Sequence, residues 1–357
     1  LDLIASQAYM RLPEQEMVMF PELEHLDGAY SREASPADID GDGDLDLTIG
    51  VARLENDGDY RDVILINEDG EFSLGTILPE NGAHFDSVWL DIEHDGDPDL
   101  YVVNDQGYDW GGNRLYLNDG GNFSTSDDCD WDIEMDGMSG DLGDFNGDGE
   151  WDLYLASSMY NALLQGTGTG GFIDVTAAVN ANPVVKPVMG WSGRWADMDN
   201  DGLLDLLTLQ GDQYYTPSGN PEAPGAISLL RQTDEGFEQR DFEIASWRSV
   251  VVFDENQDGV QDFLVSEVVE RPRLYRSTGC TQKSWLQVEA PIGTTVRIEV
   301  DGVSQMRSVH TDSSYGASGP PVVHFGLGNS AKADTLTVRL PWGEERTTRD
   351  IAGRQRV

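Results

Sequence analysis

Five nine-residue segments carry the chemistry of this chain: 38–46, 91–99, 144–152, 197–205 and 254–262, whose first residues fall 53, 53, 53 and 57 positions apart. Each places oxygen-bearing side chains at positions 1, 3, 5 and 9 and a glycine at position 6. The sets are Asp38, Asp40, Asp42 and Asp46; Asp91, Glu93, Asp95 and Asp99; Asp144, Asn146, Asp148 and Asp152; Asp197, Asp199, Asp201 and Asp205; and Asp254, Asn256, Asp258 and Asp262. Ca2+ is a hard cation that takes six to eight oxygens. Alternate side chains of a tightly curled loop converge on one point, and the glycine permits the turn. Position 7 is expected to add its backbone carbonyl, which explains why Asp44, Asp97, Glu150, Leu203 and Val260 differ so widely there. An EF-hand would need a Glu at position 12 and helical flanks; here Asp at position 9 closes the set and the flanks read as strands. One such segment could be a solvated acidic turn, but five at near-constant period point to a repeat with a common ligand. The spacing predicts about five bound Ca2+. Mg2+ suits the pattern less well, because it demands stricter octahedral geometry and sheds water reluctantly.

The elements that must hold these loops are short strands. Ser87-Val88-Trp89-Leu90 leads into the second loop and Leu100-Tyr101-Val102-Val103 leaves it. Leu153-Tyr154-Leu155 and Phe263-Leu264-Val265 leave others, so each loop is predicted to be the turn of a β-hairpin. Weaker strands follow, as in 62–67 with 70–72 and 113–118 with 121–124. Four strands per unit of about 53 residues with no helical periodicity predicts an all-β propeller. Leu1-Asp2-Leu3-Ile4 reads as the second half of a further hairpin, which makes six blades by count, with seven the alternative.

Charge divides the chain. Of 22 Lys/Arg and 66 Asp/Glu, residues 284–357 hold eight of each, so the whole formal charge of −44 rests on residues 1–283. That step predicts a calcium-binding propeller over 1–283 and a small antiparallel β domain over 284–357. In the latter, Val296, Ile298 and Val300 alternate with polar residues before an Asp301-Gly302 turn, and Leu336, Val338 and Leu340 alternate before Pro341-Trp342-Gly343. About 70 residues fold alone only marginally, so this domain is expected to pack on the propeller. Five Ca2+ would reduce the charge only to −34, and a basic partner or saline surroundings would account for the excess. Such a surface repels nucleic acid, and no apolar run is long enough to span a membrane. The start of the chain shows no leader, so any secretion signal is expected to have been removed or never present. Cys129 and Cys280 fit no zinc spacing; one bridge or two free thiols both remain open.

The repeats resemble FG-GAP/VCBS propeller repeats, most closely at Gly190-Trp191-Ser192-Gly193-Arg194-Trp195-Ala196-Asp197-Met198-Asp199-Asn200-Asp201-Gly202. The C-terminal stretch resembles the ASPIC/UnbV domain of cartilage acidic protein relatives, at 293–298, Ser314-Tyr315-Gly316-Ala317-Ser318, His324-Phe325-Gly326-Leu327-Gly328 and Leu340-Pro341-Trp342-Gly343. The resemblance implies a secreted, calcium-binding protein of adhesive or matrix type with no catalytic residues to carry over. The short first repeat and the missing epidermal-growth-factor-like segment of animal members imply a bacterial homologue.

No nucleophile elbow or His-Glu-x-x-His occurs, and Gly190-Trp191-Ser192-Gly193 has the wrong spacing for an elbow. His25, His84, His94, His310 and His324 are scattered. His94, at loop position 4, is expected in solvent, and His324, in an apolar strand, packed and hydrogen-bonded. Most of Trp89, Trp151, Trp191 and Trp195 are expected between blades. Trp110 and the pair Tyr214 and Tyr215, in long loops, are the candidates for an exposed sugar- or peptide-binding surface. Asn122-Phe123-Ser124 is a glycosylation sequon. The sequence therefore favours a secreted or periplasmic non-catalytic module that binds a protein or carbohydrate, over a calcium-assisted polysaccharide-active enzyme or a structural envelope component.

Overall fold

The computed structural model describes residues 9–11, 17–19, 30–52, 61–107, 111–125, 133–158, 160–168, 171–182, 188–212, 224–268, 270–278, 282–310 and 314–357. Every assigned element is a strand, and no helix among the described residues is long and apolar enough to cross a membrane.

Five antiparallel sheets follow one another along the chain. Blade one is Tyr30–Ala37, Asp46–Ala52, Arg61–Glu68 and Glu71–Asn81. Blade two is His84–Leu90, Asp99–Asn104, Arg114–Asp119 and Asn122–Thr125. Blade three is Gly137–Gly143, Asp152–Ser157, Ala162–Gly166 and Phe172–Asp174. Blade four is Met189–Ala196, Asp205–Gly211, Gly225–Thr233 and Gly236–Ala245. Blade five, three-stranded among the described residues, is Trp247–Phe253, Asp262–Glu267 and Arg273–Tyr275. Each sheet pairs its strands in chain order, as a propeller blade requires. A separate hairpin joins Tyr9–Arg11 to Met17–Met19. Leu1–Ile4, on which the sixth blade was counted, lie outside the described residues, as do His25, Trp110, Cys129, Tyr214, Tyr215 and Cys280.

Alternation along each second strand joins the blades. Leu100 and Val102 face Ala37, Ile39, Ile64 and Leu78 of blade one, whereas Tyr101 and Val103 face Leu142, Trp151, Leu153 and Leu155 of blade three. Tyr154 and Ala156 then turn to Trp195, Leu204 and Leu206 of blade four, and Leu207 and Leu209 to Val250, Val252 and Phe263 of blade five. Burying a Leu or Val contributes about 1.5–3 kcal/mol, against at most about 1 kcal/mol for an exposed ion pair, so these layers set the blade order. Trp89 packs with the layer between blades one and two; Trp151 and Trp195 lie in the next two layers, as expected. On the far side of blade five, Leu264 and Leu274 remain 37% and 45% exposed.

Residues 284–357 form a second unit of two sheets. Val322–Gly328, Ser284–Glu289 and Gln355–Arg356 make one; Val303–Ser308, Thr295–Val300, Lys332–Arg339 and Glu345–Ala352 make the other. Its core is Leu286, Val296, Ile298, Phe325, Leu327 and their neighbours. Asp301 and Gly302, both at positive φ, turn the hairpin that pairs Val300 with Val303.

This unit is driven into the propeller. The first strand of every blade carries a bulge at the same place: Ser31/Glu33, His84/Asp86, Gly137/Ser139, Gly190/Ser192 and Trp247/Val250. A bulge re-aims a side chain. Phe85, Met138 and Trp191, the bulged residues of blades two to four, cluster with Met189 around Tyr315, whose ring lies 5.7 Å from Phe85 and 5.0 Å from Trp191. Arg32, bulged in blade one, donates to the Tyr315 hydroxyl at 3.4 Å, and Ser249, bulged in blade five, donates to the Tyr315 carbonyl. Ser314 accepts the Val250 amide at 2.8 Å and donates to Ser192 at 2.9 Å. One turn of the C-terminal domain thus touches all five inner strands. Tyr315→Ala is expected to cost about 2–4 kcal/mol, read in denaturant unfolding of the full chain. Tyr315→Phe, which keeps the packing, should cost no more than about 1.5 kcal/mol; equal losses would refute the packing role.

Candidate metal centres

Each acidic segment is the turn between the first and second strands of its blade, and all five are built alike. Position 9 is the staple. Its Oδ2 accepts the position 2 amide (Ile39, Ile92, Phe145, Met198, Glu255) at 2.7–3.1 Å. Its Oδ1 accepts an amide from the third strand or just beyond it, Asn67, Asn118, Gly166, Gln232 or Ser277, at 2.7–2.9 Å. Position 1 accepts the position 6 glycine amide on Oδ2 in every loop, at 2.8–3.2 Å. Position 5 accepts the position 7 amide, at 2.8–3.0 Å. Two residues per loop take the left-handed conformation: glycine 6, and also position 4, occupied by Gly41, His94, Gly147, Asn200 and Gln257. Only glycine visits that region without steric cost, though His and Asn are tolerated.

This geometry brings some site residues together. Oxygens of Asp38, Asp40 and Asp42 lie within 4.8 Å of one another, as do those of Asp197, Asp199 and Asp201. Either cluster could hold a metal ion. Asp46, Asp99, Asp152, Asp205 and Asp262 sit buried behind the loops. With both oxygens on amides, each keeps further lone pairs for a cation. Asp91, Glu93, Asp95, Asp144, Asn146, Asp148, Asp254, Asn256 and Asp258 hold equivalent places in their loops. At position 7, Asp44 and Asp97 turn their carboxylates away to accept the Asp69 and Gly120 amides, at 2.8 Å each, and Glu150 meets His94 at 2.9 Å. Leu203 and Val260 carry no side-chain donor, so only their carbonyls could serve.

A test of fit lies in the unpartnered atoms. Asp38 is 2% exposed, and its Oδ1 has no hydrogen-bond partner among the described residues; Asp91 Oδ1 is likewise buried and alone. A buried carboxylate oxygen without a donor is costly and suits a hard cation. Burial raises the position 9 carboxyls despite their amide bonds, to about 6 for Asp46, 7 for Asp99 and 8 for Asp152 and Asp205. Burial likewise raises Asp38 and Asp91, and takes Asp144 and Asp197 to about 6.

The C-terminal domain sits on this face. Arg339 reaches Asp91 at 3.3 Å, the Gly326 amide and Gln287 donate to Asp197 and Asp254 at 3.0 Å, and Trp342 and Trp285 lie against Gly43 and Gly259. His324 is buried, its Nε2 2.6 Å from Asn200 Oδ1. Burial, with Arg307 beside it, lowers its pKa to about 3, so it stays neutral. His94 is exposed as expected, though paired with the next loop. Sequence reasoning missed the capping of the loops and the amide staples, for which Asn118-Asp119-Gly120-Gly121 was the available signal.

One constellation has catalytic spacing. Ser87 Oγ lies 3.1 Å from His84 Nε2, and His84 Nδ1 lies 2.9 Å from Asp62. Glu33 holds the same Nε2 at 2.8 Å. Burial would lower the imidazole pKa, but Asp62 and Glu33 outweigh it and raise it to about 10. With Asp62 on one ring nitrogen and Glu33 on the other, Nε2 is committed to a carboxylate rather than free to take a serine proton, so Glu33, His84 and Asp62 read as an ion cluster joining blades one and two.

These features define a β-propeller whose blade hairpins are acidic oxygen cages, capped by a small β domain. The FG-GAP-like repeat model matches residues 38–102, 91–155 and 144–208, and the ASPIC and UnbV model matches 287–357. The chain thus carries FG-GAP-like repeats followed by a C-terminal ASPIC/UnbV domain. No curated protein matches it significantly. Among solved structures it is similar to BBS1N in complex with ARL6DN, at 12% identity and a TM-score of 0.44, over 90% of this chain and 92% of that one. It is also similar to the V. cholerae biofilm matrix protein Bap1, at 14% identity and 0.43, over 97% of this chain and 53% of that one. A third is an Agrocybe aegerita lectin that recognises non-reducing terminal N-acetylglucosamine, at 15% identity and 0.39, over 98% and 93%.

Proposed function

We propose that this is a secreted or periplasmic calcium-binding propeller that acts as a non-catalytic adhesion or binding module, with Ca2+ rigidifying the blade hairpins. The observation that carries this is the buried, unpartnered Oδ1 of Asp38, converged with Asp40 and Asp42. The oxygens at positions 1, 3, 5 and 9, with the position 7 carbonyls, would hold the ions. Calcium supplies there the positive charge that lets clustered carboxylates stay ionised side by side. An affinity of about 10⁻⁴ M or tighter suits the millimolar calcium outside cells.

The C-terminal domain packs on the loop face but leaves positions 3 and 5 of four loops exposed, so a partner would meet these loop edges, the blade rims or the opposite mouth. A protein or carbohydrate ligand with basic groups complements the charge of −44. A ligand array run in millimolar calcium and again in chelator tests this. Binding that depends on calcium, without turnover of the ligand, is the expected result; turnover of a bound polysaccharide would replace the module with an enzyme.

A further inference from the structure

The five loops differ in what faces them. In loops one, two, three and five the carboxylates and amides at positions 3 and 5 are exposed; in loop four Asp199 and Asp201 are half-buried. Two basic side chains cover them. Lys283 Nζ lies 2.9 Å from Asp199 Oδ1 and 3.6 Å from Asp201 Oδ2. Arg231 Nη2 lies 2.7 Å from Asp199 Oδ2 and 3.4 Å from Asp201 Oδ2, and its Nε donates to the same Asp199 oxygen at 2.9 Å. Both oxygens of the position 3 carboxylate are therefore committed to protein cations. Loop one converges as tightly, yet no Lys or Arg pairs with Asp38, Asp40 or Asp42 among the described residues, and Asp38 Oδ1 stands alone. Arg339 near loop two touches only the Asp91 oxygen that already serves Gly96.

We propose that loop four is closed by Lys283 and Arg231 in place of calcium, and serves as the anchor of the C-terminal domain. An ammonium and a guanidinium bring the two positive charges that a divalent ion brings elsewhere, and an entering ion would have to displace them against like-charge repulsion. Lys283 directly precedes Ser284–Glu289, the leading strand of the C-terminal domain. The same loop holds that domain through the Gly326 amide on Asp197, His324 on Asn200, and the Gly328 amide on the Asn200 carbonyl at 3.0 Å. Four loops thus respond to calcium while the fourth in sequence ties the two domains whatever the calcium level.

The inference rests on the calcium reading for the other four loops, and two readouts on the full chain separate the two. Calorimetric calcium titration compares the wild type with Lys283→Met, Lys283→Met/Arg231→Met and Asp199→Asn. The double variant is expected to bind one ion more than the wild type, and Asp199→Asn to leave the wild-type count unchanged. A wild-type count that falls by one in Asp199→Asn, or equal counts in wild type and double variant, overturns the proposal. Melting in chelator provides the second readout, with Lys332→Met, which removes a cation paired with Asp350 away from the loops, as charge control. Lys283→Met should melt below both wild type and control; equal midpoints overturn the closure. A wild type that takes up no calcium at all overturns the calcium reading instead, and the chelator melts then decide the closure alone.

Discussion

Chelating calcium is expected to lower the melting temperature of the full chain by on the order of 10 °C. A ligand that binds only the folded state stabilises it by RT ln(1 + [L]/Kd). At millimolar calcium and an affinity of about 10⁻⁴ M this is about 1.5–2 kcal/mol per filled loop, and several loops act together. The ions' removal leaves carboxylates of positions 1, 3 and 5 crowded around buried oxygens such as Asp38 Oδ1, so the hairpins should loosen first. The effect has a pH signature. In chelator, Asp99 and Asp152, raised to about 7 and 8, bind protons in the folded state before the unfolded chain does. The metal-free fold therefore gains stability as pH falls from about 8 toward 4, and the gap between calcium and chelator midpoints narrows. A gap that is absent, or that widens on acidification, would count against ions in these loops.

His84→Leu is expected to cost about 3–5 kcal/mol, because it strands two carboxylates in the seam between blades one and two. Asp62 Oδ1 is held by the Val51 amide at 2.8 Å, and its Oδ2 and Glu33 Oε2 both point at the imidazole, at 2.9 and 2.8 Å. Gly50 packs on the ring so closely that a Cβ there would lie 2.2 Å from it, which leaves no room for water to replace the charge. Because the folded pKa is raised to about 10 from an ordinary 6.5, the cluster's contribution is complete below about 6.5 and is lost as pH rises through 10. Neutralising all three positions together should recover much of the loss from His84→Leu. Denaturant unfolding of these variants at pH 6 and pH 9.5 checks both claims; a wild type equally stable at the two pH values would show that the imidazole is not charged.

Particular residues show why some of this was legible in advance. The loops were readable because an oxygen cluster that could hold a cation is written locally: its side chains come from nine consecutive residues, with glycine at the turn. The strand alternation of Leu100-Tyr101-Val102-Val103 was equally local, since side chains of successive residues go to opposite faces. Tyr315 shows the other case. Nothing near it in sequence marks it as the residue gripped by Arg32, Phe85, Met138, Trp191 and Ser249, which come from five blades. His84 looked like one of five scattered histidines, and only folding sets Glu33, 51 residues away, against its second nitrogen.

The repeat, the oxygen pattern and the charge step at residue 283 followed from the sequence alone, because each is a short-range property of composition and spacing. Tertiary structure alone decided that the C-terminal domain caps the loop face, that Lys283 and Arg231 cover one loop of five, and that a Ser-His-Asp spacing is an ion cluster. Those outcomes depend on which distant groups share a dielectric environment. Whether a carboxylate meets an ammonium, an amide or nothing is fixed by packing across the blades, and the one-dimensional pattern does not contain it.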